Sequence, residues 1–292
     1  EVSAESIVLT TGGIGGNHDM VRKAWPADRL GPAPARMVAG VPDYVDGAMQ
    51  TIARDAGAAV INEDRMWHYC EGLANWDPIW PNHGIRILPG PSSLWFDALG
   101  TRMEAPCLPG FDTLATLKRI LSTGHDYSWF ILTQKIIEKE FALSGSEQNP
   151  DLTAGKWLEV LKARLGKGAT PAVEAFKTHG EDFVVRDTLD ALIDGMNALT
   201  PEAPLDPAHI RMQIEARDRE IDNPFSKDAQ ITAIRGARAY RGDKLIRTAK
   251  PHKILDAANG PLIAVRLNVL TRKSLGGLHT DLAARVLNAA GA

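Results

Sequence analysis

Apolar positions fall into two regimes along this chain: short β-rich runs near the ends and helical spacing between them. Ser6-Ile7-Val8-Leu9-Thr10-Thr11 is a continuous apolar run that stops at Gly12-Gly13-Ile14-Gly15-Gly16-Asn17, which predicts a strand entering a tight glycine turn. A strand of this kind belongs inside a parallel sheet, with neighbours on both sides. None is near: Trp25-Pro26, Gly31-Pro32, Pro34 and Val41-Pro42 mark a loop-rich stretch without a second strand or a long helix. Helical spacing then predicts Tyr44 to Ala56, closed by Gly57, and Asp112 to Leu121, closed near Gly124. Tyr127 to Thr133 reads as a strand. Gln134 to Leu143, Lys156 to Leu165, Pro171 to His179 and Arg186 to Leu199 read as helices. Asp206-Pro207 supplies a capping carboxylate and a first-turn proline for a helix reaching about Ile221. Pro261 to Leu270 is a strand, and a last short one is expected near Arg285 to Leu287.

Strands at the rims and helices between them predict an α/β protein, α+β within this stretch, in which a helical insertion interrupts a sheet. The sheet is expected to have further members outside this sequence. With 292 residues, 44% hydrophobic and 24% charged, the chain has the composition of a packed globular protein. A formal charge of -3 argues against nucleic acid or an anionic membrane as the main partner. Cys70 and Cys107 cannot build a disulfide framework or a four-thiolate zinc site, which fits a cytoplasmic setting. No run of apolar residues is long enough to span a membrane.

The glycine turn resembles the start of a dinucleotide fingerprint, but its third glycine would fall on His18, so an independent nucleotide site is not expected there. The richest candidate is the stretch from Asn62 to Trp95, read as a loop. It carries Trp67, Trp76, Trp80 and Trp95 with His68, Tyr69 and His83, interleaved with Gly and Pro. Such a loop can wall a flat apolar ligand, its histidines and tyrosine serving as proton donors or acceptors, or it can simply pack its aromatics on the core. His68, Cys70, Glu71 and His83 lack metal-ligand spacing, so no metal is expected. Arg235, Arg238, Arg241, Lys244, Arg247, Lys250 and Lys253 recur at every third position. On one helix they would drift by ~60° per step and form no single face, so they read as solvated charges.

Several segments together resemble the FAD-dependent dehydrogenases of the fumarate reductase/succinate dehydrogenase flavoprotein superfamily, which includes the 3-ketosteroid dehydrogenases. Ile7 to Asn17 is similar to their "VVLATGGFGGN", Gly47 to Ala58 to their helix before the cap, Leu94 to Arg102 to "hWVNxxGxRF", and Ser274 to Asp281 to "TxGGLxTD". Gly90 to Gly100, Lys139 to Lys156 and Leu270 to Asp281 look like segments of the subgroup called FAD-binding dehydrogenases. The resemblance implies a Rossmann-like FAD domain interrupted by a mainly helical cap: residues 1–40 and 258–292 as FAD-domain segments, 41–257 as the cap and substrate domain. It also implies an internal piece, since the family's N-terminal G-x-G-x-x-G would precede Glu1 and its final flavin-site segment would follow Ala292. FAD would then be held jointly with N- and C-terminal parts of the same polypeptide.

By the same resemblance, Thr11, Gly12, Gly13, Asn17, Ser274, Gly276 and Gly277 would face FAD. His68 or Tyr69 would be the acid or base, with His83 and Arg272 as further catalytic candidates. Trp67, Trp95, Ser92 and Ser93 would contact substrate. The arginine that family fumarate reductases use as proton donor has no counterpart near Gly110-Phe111-Asp112, and Arg272-Lys273 stand where a histidine is expected. Fumarate is therefore disfavoured. The implied activity is hydride transfer between flavin and a C–C bond next to a carbonyl in a small apolar ketone, with no nucleic acid and no membrane span involved. A binding module that holds an apolar ligand without turnover is the rival reading.

Overall fold

The computed structural model describes residues 3–166 and 168–291. The first elements are α1 (His18–Lys23), α2 (Ala27–Leu30), β1 (Val38–Ala39), α3 (Ala48–Asp55) and β2 (Val60–Ile61). Three strands follow, β3 (Met66–Ala74), β4 (Gly84–Leu88) and β5 (Leu94–Asp97), then α4 (Thr113–Leu121), β6 (Tyr127–Thr133), α5 (Gln134–Glu140) and β7 (Ala142–Leu143). The helical stretch comprises α6 (Pro150–Thr153), α7 (Trp157–Leu165) and α8 (Pro171–His179), and after β8 (Phe183–Arg186) come α9 (Leu189–Leu199), α10 (Pro207–Glu220), α11 (Ala229–Ala237) and α12 (Arg241–Ile246). The long strand β9 (Leu262–Ser274) and the short β10 (Gly277–Leu278) complete the order.

One mixed sheet organises the chain, in the order β5-β6-β9-β3-β4-β7, with β1 and β8 also paired to β9. All pairings are antiparallel except β1 with β9. The first half of β9 lies against β6 and β8, and its second half against β3 and β1. Every residue of β6 is buried, because β5 and β9 cover its edges while helices and loops cover its faces. Burial of a side chain such as Phe130, wholly inaccessible here, contributes roughly 1.5–3 kcal/mol. α4 packs on β3, and α9 packs on β8 and β9. The helix starts are those the sequence marks: Asp112 accepts from Ala115 N at 2.9 Å, and Asp206 accepts from Ala208 N at 2.9 Å with Pro207 opening the first turn.

The structure corrects several expectations. The segment read as an aromatic loop is the strand set β3, β4 and β5. Its alternation is hidden because β3 is buried on both faces from His68 to Leu73, which leaves no polar side to read. Strands are therefore not confined to the ends of the chain. Ser6 to Thr11 forms no strand: Ile7 and Val8 are 80% and 84% exposed. The second half of β9, which the glycine turn meets at Ser274, pairs with β3 and, at Leu270 and Thr271, with β1. A short helix, α1, does follow the glycine turn, capped by Asn17 Oδ1 on Met20 N. The helix expected through Leu143 ends at Glu140, because Ala142 and Leu143 pair with β4. The one expected from Arg186 starts after Thr188, because residues 183–186 pair with β9. Arg285 to Leu287 joins only isolated bridges, as a turn at Asp281 folds it back on His279.

Candidate functional site

The glycine turn and the end of β9 meet. Ile14 N donates to Ser274 Oγ at 3.0 Å, and Thr271 Oγ1 donates to the Gly15 carbonyl at 2.6 Å. Backbone approach here is close enough to require glycine. A Cβ on Gly13 would lie 2.2 Å from Ser274 Oγ, and one on Gly276 would lie 1.8 Å from the Asn62 carbonyl oxygen. The space beside Gly13 and Gly276 is thus filled by protein, whereas Gly277 has nothing nearer than Gln50 Nε2 at 3.6 Å. Asn17 is spent on capping α1 and on donating to the Asp46 carbonyl. Thr11 and Gly12 remain exposed.

Two cavities adjoin this junction and share Pro26 and Asp64. The larger, about 680 Å³, has Ile14 and Trp25 as apolar wall and a polar side that mixes Gln50, Arg54 and Ser274 with the carboxylates of Asp28, Glu63 and Asp64. The smaller, about 450 Å³, is lined chiefly by Met66, Trp67, Phe111, Leu114 and Leu275, with His68, Asp64, Asp112 and Thr113 as its polar residues. His68 is 5% exposed and stacks on Trp25 with ring centroids 5.1 Å apart. Both its ring nitrogens are buried without a hydrogen-bond partner among the described residues. Burial, aided by the nearby His18 charge, lowers its pKa to about 4, so the imidazole is neutral at physiological pH. Trp67 is half-exposed at the cavity rim, where Lys273 Nζ stands 5.6 Å from its ring centroid.

Tyr69 is buried in a small cluster with Val38 and Leu270, apart from the main core that holds Trp25 and Cys70, and the Arg86 guanidinium sits 3.8 Å over its ring. His83 lies at the other end of β3, beside Asn75. Seven residue steps along the strand separate Asn75 from His68, roughly 23 Å. Its Nδ1 accepts from Ile79 N at 3.2 Å and from Asn75 Nδ2 at 3.0 Å, and its Nε2 faces Glu147 Oε1 at 3.3 Å. Burial lowers the His83 pKa, and the Glu147 carboxylate works against that. Arg272 is half-buried, with its carbonyl packed on Gly15.

Trp95, Ser92 and Ser93 point inward. Trp95 Nε1 donates to Ser128 Oγ at 2.9 Å, and the Ser93 carbonyl accepts from Gln230. Ser92 donates to Glu140 through both its N–H, at 2.8 Å, and its Oγ, at 2.5 Å. Glu140 also accepts from Ala249 N at 2.8 Å, and burial raises its pKa to about 7 against the opposing effect of these bonds. No sequence signal marks Glu140. Trp25 was equally unmarked, read only as part of a loop, yet it forms a wall of the larger cavity and the platform under His68.

The model of the FAD binding domain family matches residues 1–292. The KsdD-like steroid dehydrogenase of Mycobacterium tuberculosis is 56% identical over 291 residues, which is 100% of this chain and 51% of that protein. The KsdD-like steroid dehydrogenase of Mycolicibacterium smegmatis is 57% identical over 287 residues, 98% of this chain and 52% of that protein. The chain thus spans about half the length of the curated relatives it matches. Among solved structures, the 3-ketosteroid delta1-dehydrogenase of Sterolibacterium denitrificans superposes with a TM-score of 0.55 at 18% identity, covering 96% of this chain and 44% of that one. The open conformation of a flavocytochrome c3 fumarate reductase superposes with a TM-score of 0.52 at 14% identity, covering 98% of this chain and 38% of that one. The fold is common to both, and the family model spans the whole sequence: the chain belongs to the FAD binding domain family.

Proposed function

We propose that the chain serves an FAD-dependent dehydrogenase acting on a C–C bond next to a carbonyl in an apolar, steroid-like ketone. In this reading residues 1–40 and 258–292 form the cofactor side and 41–257 the substrate side. The observation that carries it is the pair of cavities at the junction of the glycine turn with β9, one mixed in polarity and one mainly apolar, with an unpartnered neutral histidine in its wall and Asp64, Asp112 and Thr113 as its other polar residues. The mixed cavity fits the ring of a flavin in chemical character: Trp25 and Ile14 suit a flat ring and Gln50 and Ser274 its polar edge, while Arg54 is paired with Glu63 and the carboxylates of Asp28 and Asp64 also line the space. When bound, FAD supplies the hydride acceptor. The protein's own part is to orient and to exclude water. Met66, Trp67, Phe111, Leu114 and Leu275 would hold the apolar body, and His68 would take or give a proton through a ring nitrogen that has no competing partner. Tyr69 is the second candidate for that proton and Arg272 would support the site from a distance, while His83 lines neither cavity and would take no part in the chemistry.

The test is anaerobic mixing of the full-length, flavin-loaded protein with a saturated 3-ketosteroid or with succinate. Bleaching of the flavin absorbance by the steroid and not by succinate is expected. Bleaching by succinate alone contradicts the proposal, and steroid binding without any bleaching supports the binding-module reading instead.

A further inference from the structure

The basic residues at every third position do not lie on one helix. The run breaks at Arg238 to Tyr240, between α11 and α12, so drift around a single axis does not disperse them. Three of the seven are committed to the fold. Arg235 donates to the Ile221 and Asn223 carbonyls, Arg238 to the Thr248 carbonyl, and Lys253 pairs with Asp222 at 2.6 Å. Arg241, Lys244, Arg247 and Lys250 are all exposed and form no ion pair among the described residues. The one carboxylate within that turn is Asp243.

Apolar side chains are exposed in the same stretch: Tyr240 at 69%, Leu245 at 55% and Ile246 at 37%. Arg241, Lys244 and Leu245 share a face by their spacing of three and four, so charge and apolar surface are presented together. The Tyr240 ring lies against the backbone of Gly242, where a Cβ would come within 2.7 Å of it. The turn stands on a fixed base. Thr248 and Ala249 behind it are buried, Ala249 N is held by Glu140, and Arg217 holds the His252 carbonyl.

We propose that this turn, residues 240–250, is a docking surface for an anionic lipid bilayer. A chain of net charge -3 that gathers four unpaired cations on one turn, with a tyrosine and two aliphatic side chains beside them, presents what an anionic interface complements. Cations meet the headgroups, Tyr240 sits at the interfacial level, and Leu245 and Ile246 reach the acyl boundary. A nucleic acid would complement the charges but leave the aliphatic residues in water, and it would find one aromatic ring to stack on. Among the described residues no helix is long and apolar enough to cross a membrane, so the contact is peripheral.

The experiment is co-sedimentation of the protein with vesicles of equal parts phosphatidylglycerol and phosphatidylcholine, and with vesicles of phosphatidylcholine alone. Binding to the mixed vesicles, release at high salt and no binding to pure phosphatidylcholine are expected. Replacing Arg241, Lys244, Arg247 and Lys250 together by Gln should weaken binding at least about tenfold. Y240S/L245S should weaken it severalfold with all charges in place, and K244R/K250R should retain it. All these positions are exposed, and far-ultraviolet circular dichroism verifies that each variant is folded. Equal binding to both vesicle types, or full binding by the Gln variant, overturns the proposal. So does full binding by Y240S/L245S together with displacement from the vesicles by duplex DNA, which assigns the patch to nucleic acid.

Discussion

Two buried histidines in aromatic company sit at opposite ends of β3, and they do different things. His68 stacks on Trp25 and His83 lies 3.6 Å, centroid to centroid, from Trp80. Burial lowers the pKa of each. They differ in what their nitrogens meet. His83 gives Nδ1 to Ile79 and Asn75 and turns Nε2 to Glu147, so it closes a loop, while His68 lines a cavity and has both nitrogens buried without a hydrogen-bond partner among the described residues. Aromatic neighbours and burial therefore do not identify a chemical histidine, whereas a lack of internal partners singles one out. The same contrast holds for the carboxylates: Glu140 is as buried as His68, yet it accepts three hydrogen bonds and ties Ser92 to Ala249.

The contrast can be broken in several places. The largest effect is expected at the junction itself, where Gly276→Ala pushes a methyl into the Asn62 carbonyl and should cost about 3 kcal/mol in chemical denaturation. Next come the opposed pH dependences of Glu140 and His68. The folded-state pKa of Glu140 is raised from 4.5 to about 7, so its contribution is full below pH 4.5 and is lost as pH rises through 7. That of His68 is lowered from 6.5 to about 4, so its contribution is full above pH 6.5 and is lost as pH falls through 4. Each amounts to about 3 kcal/mol, and the two oppose each other in wild type. Relative to wild type, Glu140→Gln should lose stability more steeply on acidification and His68→Gln more steeply on alkalinisation; parallel curves would refute the assignment. His83→Ala strands the Ile79 and Asn75 donors and should cost about 1–3 kcal/mol in a thermal melt. The smallest effect is a gain. Gly236→Ala, in an exposed turn of α11 with nothing within 4 Å of the new methyl, should stabilise by about 0.5–1 kcal/mol.

How much of this was legible in the sequence depends on whether a segment's environment is local. α4, α8 and α10 carry their own caps, prolines and spacing, so they read correctly from the chain alone. β6 and the start of β9 are long β-rich runs bounded by turn signals and read equally well. β3 does not, because its two faces are covered by partners distant in sequence, α4 on one side and Val38 and Leu270 on the other. The same hidden coverage misplaced Trp95, Ser92 and Ser93 as ligand contacts. Their directions are set by cross-strand neighbours and by Glu140, which no local pattern reveals. Ser6 to Thr11 shows the converse, since a strong β run has no strand partner among the described residues. The resemblance turned the glycine turn and Ser274 both towards FAD, but neither it nor the spacing foretold that the two touch each other.

The central claim is that His68 touches the reacting molecule while His83 only holds a loop. Single-turnover flavin reduction by a saturated 3-ketosteroid, measured anaerobically on full-length His68→Gln and His83→Gln proteins, tests it most directly. A slowing of about 100-fold for His68→Gln with the His83→Gln rate near wild type is predicted. An unchanged rate for His68→Gln, or equal slowing of both variants, would contradict it.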